Sequence, residues 1–375
     1  MAEKLRRIGV LTGGGDCPGL NAVIRAVVKT AAFDYGIEVV GIESGYAGLV
    51  QDRTRDLDPS SVGGILARGG TILGSSNRDN PFRVPSDENG KIVFRDLSDV
   101  ALRTFQRHGL QLLIAIGGDG SLSIARDLEK KGMPVIGVPK TIDNDLAATD
   151  VTFGFDSALA IATEAVDRLH TTAMSHQRVM VLEVMGRYAG WIGLEAGMAG
   201  GGDVILIPEI PFQLESVANA IRQRSYRGRH FSIVVVSEGA KPAGGEMMVA
   251  KTIETSTDPL RLGGIGNWVA SELERMLDME TRATVLGHLQ RGGIPTAYDR
   301  ILGTRFGVQA IREAVEGKHG VMVALRGREI VAVPIEEAVA SLRRVEPEGE
   351  LVRAARSVGT SFGCLLYTSP SPRDS

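Results

Sequence analysis

Residues 112–145 read LLIAIGGDGSLSIARDLEKKGMPVIGVPKTIDND, and this stretch decides the fold. An apolar run, Leu112 to Ile116, stops at a glycine cluster; a segment of helical period, Leu122 to Lys131, follows, and a second apolar run, Val135 to Val138, closes the unit. Strand, helix and strand in that order predict two parallel strands joined by a crossover helix. The runs are apolar almost throughout, so each strand is expected to lie in a sheet covered on both faces.

The same alternation extends in both directions, with apolar runs at 8–11, 39–42, 179–184, 204–207, 231–236 and 283–286 and a helical segment at 21–32. The chain is therefore expected to be an α/β protein with mainly parallel sheets covered by helices, its ligands gathered at the carboxyl ends of the strands. At 375 residues, 43% hydrophobic and 23% charged, it has enough apolar surface for two domains. No long linker marks the division, which is placed near residue 140: residues 1–140 as a first α/β domain, 141–363 as a second, with parts of the C-terminal half returning to the first. Residues 78–99 carry Asn80, Pro81, Pro85, Asn89 and Gly90 and read as an irregular excursion with a hairpin tip. Residues 364–375, CLLYTSPSPRDS, resemble a translated sequencing adapter and are excluded from the fold reading.

A net charge of −3 gives no general attraction for nucleic acid or anionic lipid, so basic residues matter by position. The polar start of the chain and the absence of any run near 18 apolar residues point to a cytoplasmic enzyme with no membrane span. Two distant cysteines, Cys17 and Cys364, suggest neither a disulfide scaffold nor a zinc site. Forty-seven glycines exceed the roughly 7% average and cluster where apolar runs end, as tight strand-to-helix turns require.

Three of those clusters carry chemistry. Gly13, Gly14 and Gly15 follow the first apolar run, where backbone amides can cradle phosphate; a bare turn would look the same. Gly117, Gly118, Asp119, Gly120 and Ser121 follow the run 112–116; here the helix N-terminus favours negative charge and Asp119 offers a hard oxygen to a phosphate-bound Mg²⁺, or alternatively caps the helix. Lys140, Thr141, Ile142, Asp143, Asn144 and Asp145 place a lysine and two carboxylates in one loop, where one carboxylate can take a proton from an attacking hydroxyl while the other supports the metal or its waters. An Asx-rich structural turn is the alternative. Arginines recur near apolar strands, at Arg178, Arg187, Arg282 and Arg291, and suit bidentate capture of phosphate. Glu238, ending the run 231–236, can accept hydrogen bonds from sugar hydroxyls or cap a helix.

In combination and in this order, G-G-D-G-S at Gly117, T-I-D-N-D at Thr141, M-G-R-Y-A-G at Met185 and G-H-L-Q-R-G-G at Gly287 resemble the 6-phosphofructokinase family, over residues 6–363. The resemblance implies two Rossmann-like domains with the active site in the cleft between them. It implies transfer of the γ-phosphoryl group of ATP to the 1-hydroxyl of fructose 6-phosphate, with Mg²⁺ as cofactor. Asp143 would then be the base, Asp119 the metal ligand, Asp145 an assistant, and Arg187 the group that stabilises the moving phosphoryl. Thr141, Ile142, Met185, Gly186, Glu238, His288, Leu289, Gln290 and Arg291 would hold the sugar phosphate, with Arg178 and Arg282 reaching it from a neighbouring subunit of a homodimer or homotetramer. Gly15, Arg78, Asp79, Gly118, Gly120 and Ser121 would contact the nucleotide.

Two positions bear on the donor and disagree. Gly120 is similar to ATP users, since pyrophosphate users carry Asp there, whereas Lys140 is similar to pyrophosphate users. The pair resembles a subgroup that uses ATP; a pyrophosphate-dependent phosphotransferase is the alternative. A dinucleotide-binding oxidoreductase is opposed by the missing G-x-G-x-x-G, and a non-catalytic regulatory subunit by the presence of Asp119, Asp143 and Arg187. The whole reading requires residues 141–145 to lie against residues 117–121.

Overall fold

The computed structural model describes residues 4–88, 91–252 and 260–364. In chain order its first strands are β1 (Arg7–Thr12), β2 (Glu38–Ile42), β3 (Thr54–Leu57), β4 (Val84–Glu88), β5 (Lys91–Arg95), β6 (Leu112–Gly117) and β7 (Val135–Pro139). There follow β8 (Val179–Val184), β9 (Val204–Leu206), β10 (Ser232–Ser237), β11 (Val249–Thr252), β12 (Leu260–Leu262), β13 (Thr281–Val285), β14 (Val321–Arg326) and β15 (Glu329–Pro334). The helices are α1 (Leu20–Thr30), α2 (Tyr46–Gln51), α3 (Ser98–Arg107), α4 (Asp119–Lys130), α5 (Phe155–His176), α6 (Trp191–Ala199), α7 (Leu214–Tyr226), α8 (Ile265–Met276), α9 (Ala297–Val315), α10 (Ile335–Ala338) and α11 (Glu350–Ser357). Among the described residues no helix is long and apolar enough to cross a membrane.

The chain divides into two compact units. The first draws on the described residues of Met1–Ala158, Thr252–Leu260 and Arg291–Arg343, the second on those of Leu159–Lys251, Arg261–Gln290 and Arg344–Ser375. The division therefore falls after Ala158, where residue 140 was expected. A parallel bridge from Lys140 to Phe153 and an antiparallel one from Leu146 to Leu342 tie the intervening loop to the first unit.

The first unit is built on a seven-stranded sheet in the order β15-β14-β7-β6-β1-β2-β3. Its five inner strands run parallel, and the two edge strands, β3 and β15, are antiparallel to their neighbours. Alternate residues explain the near-continuous apolar runs: Leu113, Ala115 and Val135 join Leu122, Ala125 and Leu128 of α4 in one core, while Ile114, Ile116 and Ile136, equally buried, point to the opposite face. Helices α1 and α9 pack closely; a side chain at Gly307 would come within 2.7 Å of the Ala26 Cβ and 2.8 Å of the Val23 carbonyl oxygen. The excursion at 78–99 contains the antiparallel hairpin β4–β5, and its expected tip, Asn89 and Gly90, lies outside the described residues.

The second unit has a four-stranded sheet, β13-β8-β10-β9, parallel throughout. Val181, Val234 and Leu206 pack with α7 and α8 through Ile221, Val269 and Leu273. On the other face α6 lies so near the sheet that a Cβ at Gly197 would meet Ile205 at 2.6 Å. Of the stretch set aside as adapter-like, Cys364 packs beside Phe362 and Val352, and residues 365–375 lie outside the described residues.

Candidate active site

In the first unit the two loops that had to meet do so. Strand β6 pairs with β7 in a register that sets Gly117 opposite Pro139, and one residue further on the Lys140 amide donates to the Gly117 carbonyl at 2.9 Å. The contact is tight: a Cβ on Gly118 would lie 3.1 Å from the Lys140 carbonyl oxygen and 3.7 Å from the Thr141 Cβ. Adjacent parallel strands deliver their following loops to the same edge of the sheet, which is why two sequence-distant motifs end side by side.

Helix α4 begins at Asp119 with Gly118, which has no side chain to form a capping bond, as its N-cap. The carboxylate stands half-buried in the first turn, where burial raises its pKa. A partly desolvated carboxylate at a helix start is a favourable partner for a cation that arrives with phosphate. Gly120 is exposed, and an added Cβ there meets nothing within 4 Å, so the helix entrance opens onto free space at this residue.

The Gly13–Gly15 turn works differently from its expected phosphate cradle. The Gly13 amide donates to the Ile116 carbonyl at 2.9 Å and the Gly14 amide to the Ser76 carbonyl at 2.9 Å, so a phosphate reading of this turn rests on Gly15. Packing bears on these glycines as well: a side chain at Gly13 would run into the Ser121 hydroxyl at 2.6 Å, and one at Gly15 would displace the Arg291 guanidinium, whose Nη1 would lie at 2.7 Å. Lys140 is buried and its ammonium donates to the Gly15 carbonyl, while burial lowers its pKa. Arg291 donates to the Asp16 carbonyl at 3.1 Å. Arg78 is exposed and Asp79 half-buried, in the loop before the hairpin, where the Arg78 amide donates to the Ser76 hydroxyl.

The carboxylates sit on a sharply turned loop. Thr141 Oγ1 accepts from the Asp143 amide at 3.1 Å, Ile142 is buried beneath, and Asn144 takes a positive φ of 52°. Burial first, and the neighbouring Asp143 charge second, push the Asp145 carboxyl up to about 7.

The second unit gathers the other group at the carboxyl ends of its own strands. Met185, Gly186 and Arg187 follow β8, Glu238 follows β10, and Gly287, His288, Leu289 and Gln290 follow β13. Backbone bonds lock this edge: the Glu238 amide to the Val184 carbonyl at 2.8 Å, and the Gly239 amide to the Gly186 carbonyl at 3.1 Å. Gly239 approaches so closely that a Cβ would overlap the Arg187 carbonyl oxygen at 1.8 Å. Gln290 is fully buried and its Oε1 accepts from the Met185 amide at 2.8 Å, so it supports the loop from behind; Leu289 beside it is 68% exposed.

Arg178 and Arg282 are not with this group. They stand at the amino ends of β8 and β13, one strand length, about 20 Å for six residues, from Met185. Glu280 holds both, pairing with Arg178 Nε through one oxygen and with Arg282 Nη2 through the other, and Arg282 Nη1 also reaches Glu274 at 3.1 Å.

Sequence reasoning assigned no role to Tyr46, which is buried and donates its hydroxyl to the Ser121 carbonyl at 2.7 Å in the first turn of α4. No local signal marks such a residue, because it lies 75 positions from its partner.

Comparison with known proteins gives this geometry a name: the family model described as phosphofructokinase matches residues 7–314. The chain belongs to the phosphofructokinase family. It is 55% identical over 364 residues to ATP-dependent 6-phosphofructokinase 2 of Clostridium perfringens, a match spanning 96% of this chain and 100% of that protein. It is also 52% identical over 343 residues to pyrophosphate–fructose 6-phosphate 1-phosphotransferase of Amycolatopsis methanolica, across 91% of this chain and 97% of that one. Among solved structures, Pichia pastoris phosphofructokinase in the T-state has a TM-score of 0.76 at 32% identity, covering 96% of this chain; the chain spans 37% of that longer protein.

Proposed function

We propose that the chain catalyses transfer of the γ-phosphoryl group of ATP to the 1-hydroxyl of fructose 6-phosphate, giving fructose 1,6-bisphosphate and ADP, as a glycolytic kinase. The observation that carries this reading is the Lys140–Gly117 backbone bond, which sets the carboxylate loop against the helix entrance where Gly120 leaves open space. A donor phosphate at that entrance and a sugar hydroxyl at Asp143 then meet at one edge of one sheet.

In this scheme Asp143 accepts the proton of the 1-hydroxyl as its oxygen bonds to the γ-phosphorus and the bond to the β-phosphate bridging oxygen breaks. Asp145, with its raised pKa, holds a proton near neutrality and so spares Asp143 the repulsion of a second full charge. Mg²⁺ takes one or two carboxylates and completes its shell with phosphate oxygens and water. Asp119 is the ligand this chain would offer, and bound Mg²⁺ would neutralise charge on the transferring phosphates. Gly15, Gly118, Ser121, Arg78 and Asp79 would line the nucleotide. In the first unit Thr141 and Arg291 are the candidates for sugar-phosphate contact. In the second unit, taken by itself, Met185, Gly186, Glu238 and His288 are the candidates for the sugar and Arg187 the candidate for phosphoryl charge. Ile142 and Gln290 are buried and would act by supporting the loops that bear these groups.

ATP is favoured as donor by the space at Gly120 together with the partner of Lys140. The lysine that resembles pyrophosphate users is turned onto the Gly15 carbonyl, so it need not obstruct a nucleotide. A relative 55% identical carries the ATP-dependent name, which points the same way. The position of Arg178 and Arg282 at the far edge of the second sheet supports their use by a neighbouring copy, and hence a homo-oligomer with shared sites, in the cytoplasm.

Assay of the purified protein with each donor tests the reading. Turnover of fructose 6-phosphate with MgATP and at least tenfold less with pyrophosphate is expected; turnover with pyrophosphate alone would overturn the choice of donor.

A further inference from the structure

We propose that Asn144 is a positioning residue that sets the two carboxylates of the catalytic loop, acting through a clamp closed by Thr152. The inference rests on the phosphoryl-transfer reading above. Asn144 lies between Asp143 and Asp145 and is itself 3% exposed, so its side chain turns inward. Its φ of 52° is a left-handed conformation that most side chains avoid and that Asn tolerates. That single reversal sets the directions in which the flanking carboxylates leave the chain.

The side chain then fixes the reversal. Asn144 Oδ1 accepts from the Thr152 amide at 3.1 Å, and the Thr152 hydroxyl donates to the Thr141 carbonyl at 2.7 Å. Thr152 is fully buried, so both bonds are shielded from water. One residue thus ties the start and the middle of the loop. From the other side the returning chain closes on it: the Arg343 amide donates to the Asp145 carbonyl at 2.7 Å, Arg343 Nη1 reaches the Asn144 carbonyl at 3.4 Å, and Leu342 bridges Leu146. A loop held at residues 141, 144, 145 and 146 has little freedom left for the carboxylates except rotation of their own side chains.

Three variants separate the parts. Asn144→Gly keeps the backbone conformation available and removes the side-chain acceptor; Asn144→Ala removes the acceptor and also disfavours the conformation; Thr152→Val removes the hydroxyl, with its bond to the Thr141 carbonyl and its longer 3.5 Å one to Asn144 Oδ1, and leaves the Thr152 amide bond to Asn144. A base displaced by about 1 Å loses on the order of 10²-fold in rate. Asn144→Gly is therefore expected to lower kcat by roughly 10- to 100-fold with both KM values within about threefold, and Asn144→Ala to lower it further. Hydrogen–deuterium exchange without substrate gives the second readout: the Thr152 amide should be protected in the parent protein and exchange at least about tenfold faster in Asn144→Gly. A kcat within twofold of the parent in both Asn144 variants, or a Thr152 amide that exchanges freely in the parent, would overturn the proposal. The exchange result decides the clamp even where the parent protein fails with ATP, a failure that would count against the functional reading alone.

Discussion

Replacing Gly120 by Asp tests donor choice at the point where the structure is most permissive. An added Cβ meets no atom within 4 Å and the φ of Gly120 is not positive, so the substitution needs no rearrangement of the fold. In the first turn of α4 an acidic residue interacts well with the helix dipole, by about 0.3–1 kcal/mol, and loss of glycine restricts the unfolded chain, which adds stability of similar size. Thermal stability should stay level or rise. The same carboxylate would point into the space proposed for the nucleotide, next to Asp119. Two unit charges about 4 Å apart repel by about 1 kcal/mol in bulk water and about 4 kcal/mol at an effective dielectric near 20. Residue 120 is exposed, so the true cost falls between these limits, and kcat/KM for ATP should drop between about fivefold and about a thousandfold. Coupled assays across ATP concentrations, with titration calorimetry of MgATP, read the loss; Gly120→Ala, neutral and small, should retain ATP use within about threefold. A Gly120→Asp protein that folds and keeps kcat/KM for ATP within threefold of the parent would show that nucleotide phosphates do not pass this residue.

Further outcomes follow from named groups. Asp143→Ser should lower kcat by at least about 10²-fold with little change in KM for fructose 6-phosphate, and Arg282→Ala should raise that KM about tenfold or more; mixing the two defective proteins should restore activity if sites are shared between copies, and the absence of any restoration after subunit exchange would count against sharing. Asp299, buried and accepting from the Gly154 and Ser157 amides at 2.9 and 2.8 Å, is pushed up by burial to about 6 from 3.8. The folded protein therefore holds this proton more tightly than the unfolded chain, so the stability linked to it is complete below about pH 4 and is lost as pH rises through about 6. Melting curves should show Asp299→Asn gaining on the parent between pH 4 and 7, and parallel Tm profiles would dismiss the shift.

Much of this protein is legible locally, because strands, helices and strand-to-helix turns announce themselves within a few residues. The period of the run 112–138, the glycines after Ile116 and the carboxylates at 143 and 145 need no partner to be recognised. Asn144 was legible in part: an Asn flanked by acids suggests a turn, but its buried bond to Thr152 depends on where residue 152 returns. The division of the chain was misplaced by 18 residues for the same reason, since the bridges from Lys140 to Phe153 and from Leu146 to Leu342 pair segments that carry no mutual signal.

What the amino-acid sequence determined alone was the α/β class and the inventory of reactive groups, because hydrophobic period and residue chemistry are properties of neighbours along the chain. The tertiary structure decided which groups serve together. It committed the Gly13 and Gly14 amides to Ile116 and Ser76, buried Gln290 behind Met185, and put Arg178 and Arg282 at the edge opposite Arg187. Those outcomes depend on strand order and strand direction, and hydrogen bonds between residues tens or hundreds of positions apart form only once the sheets have closed.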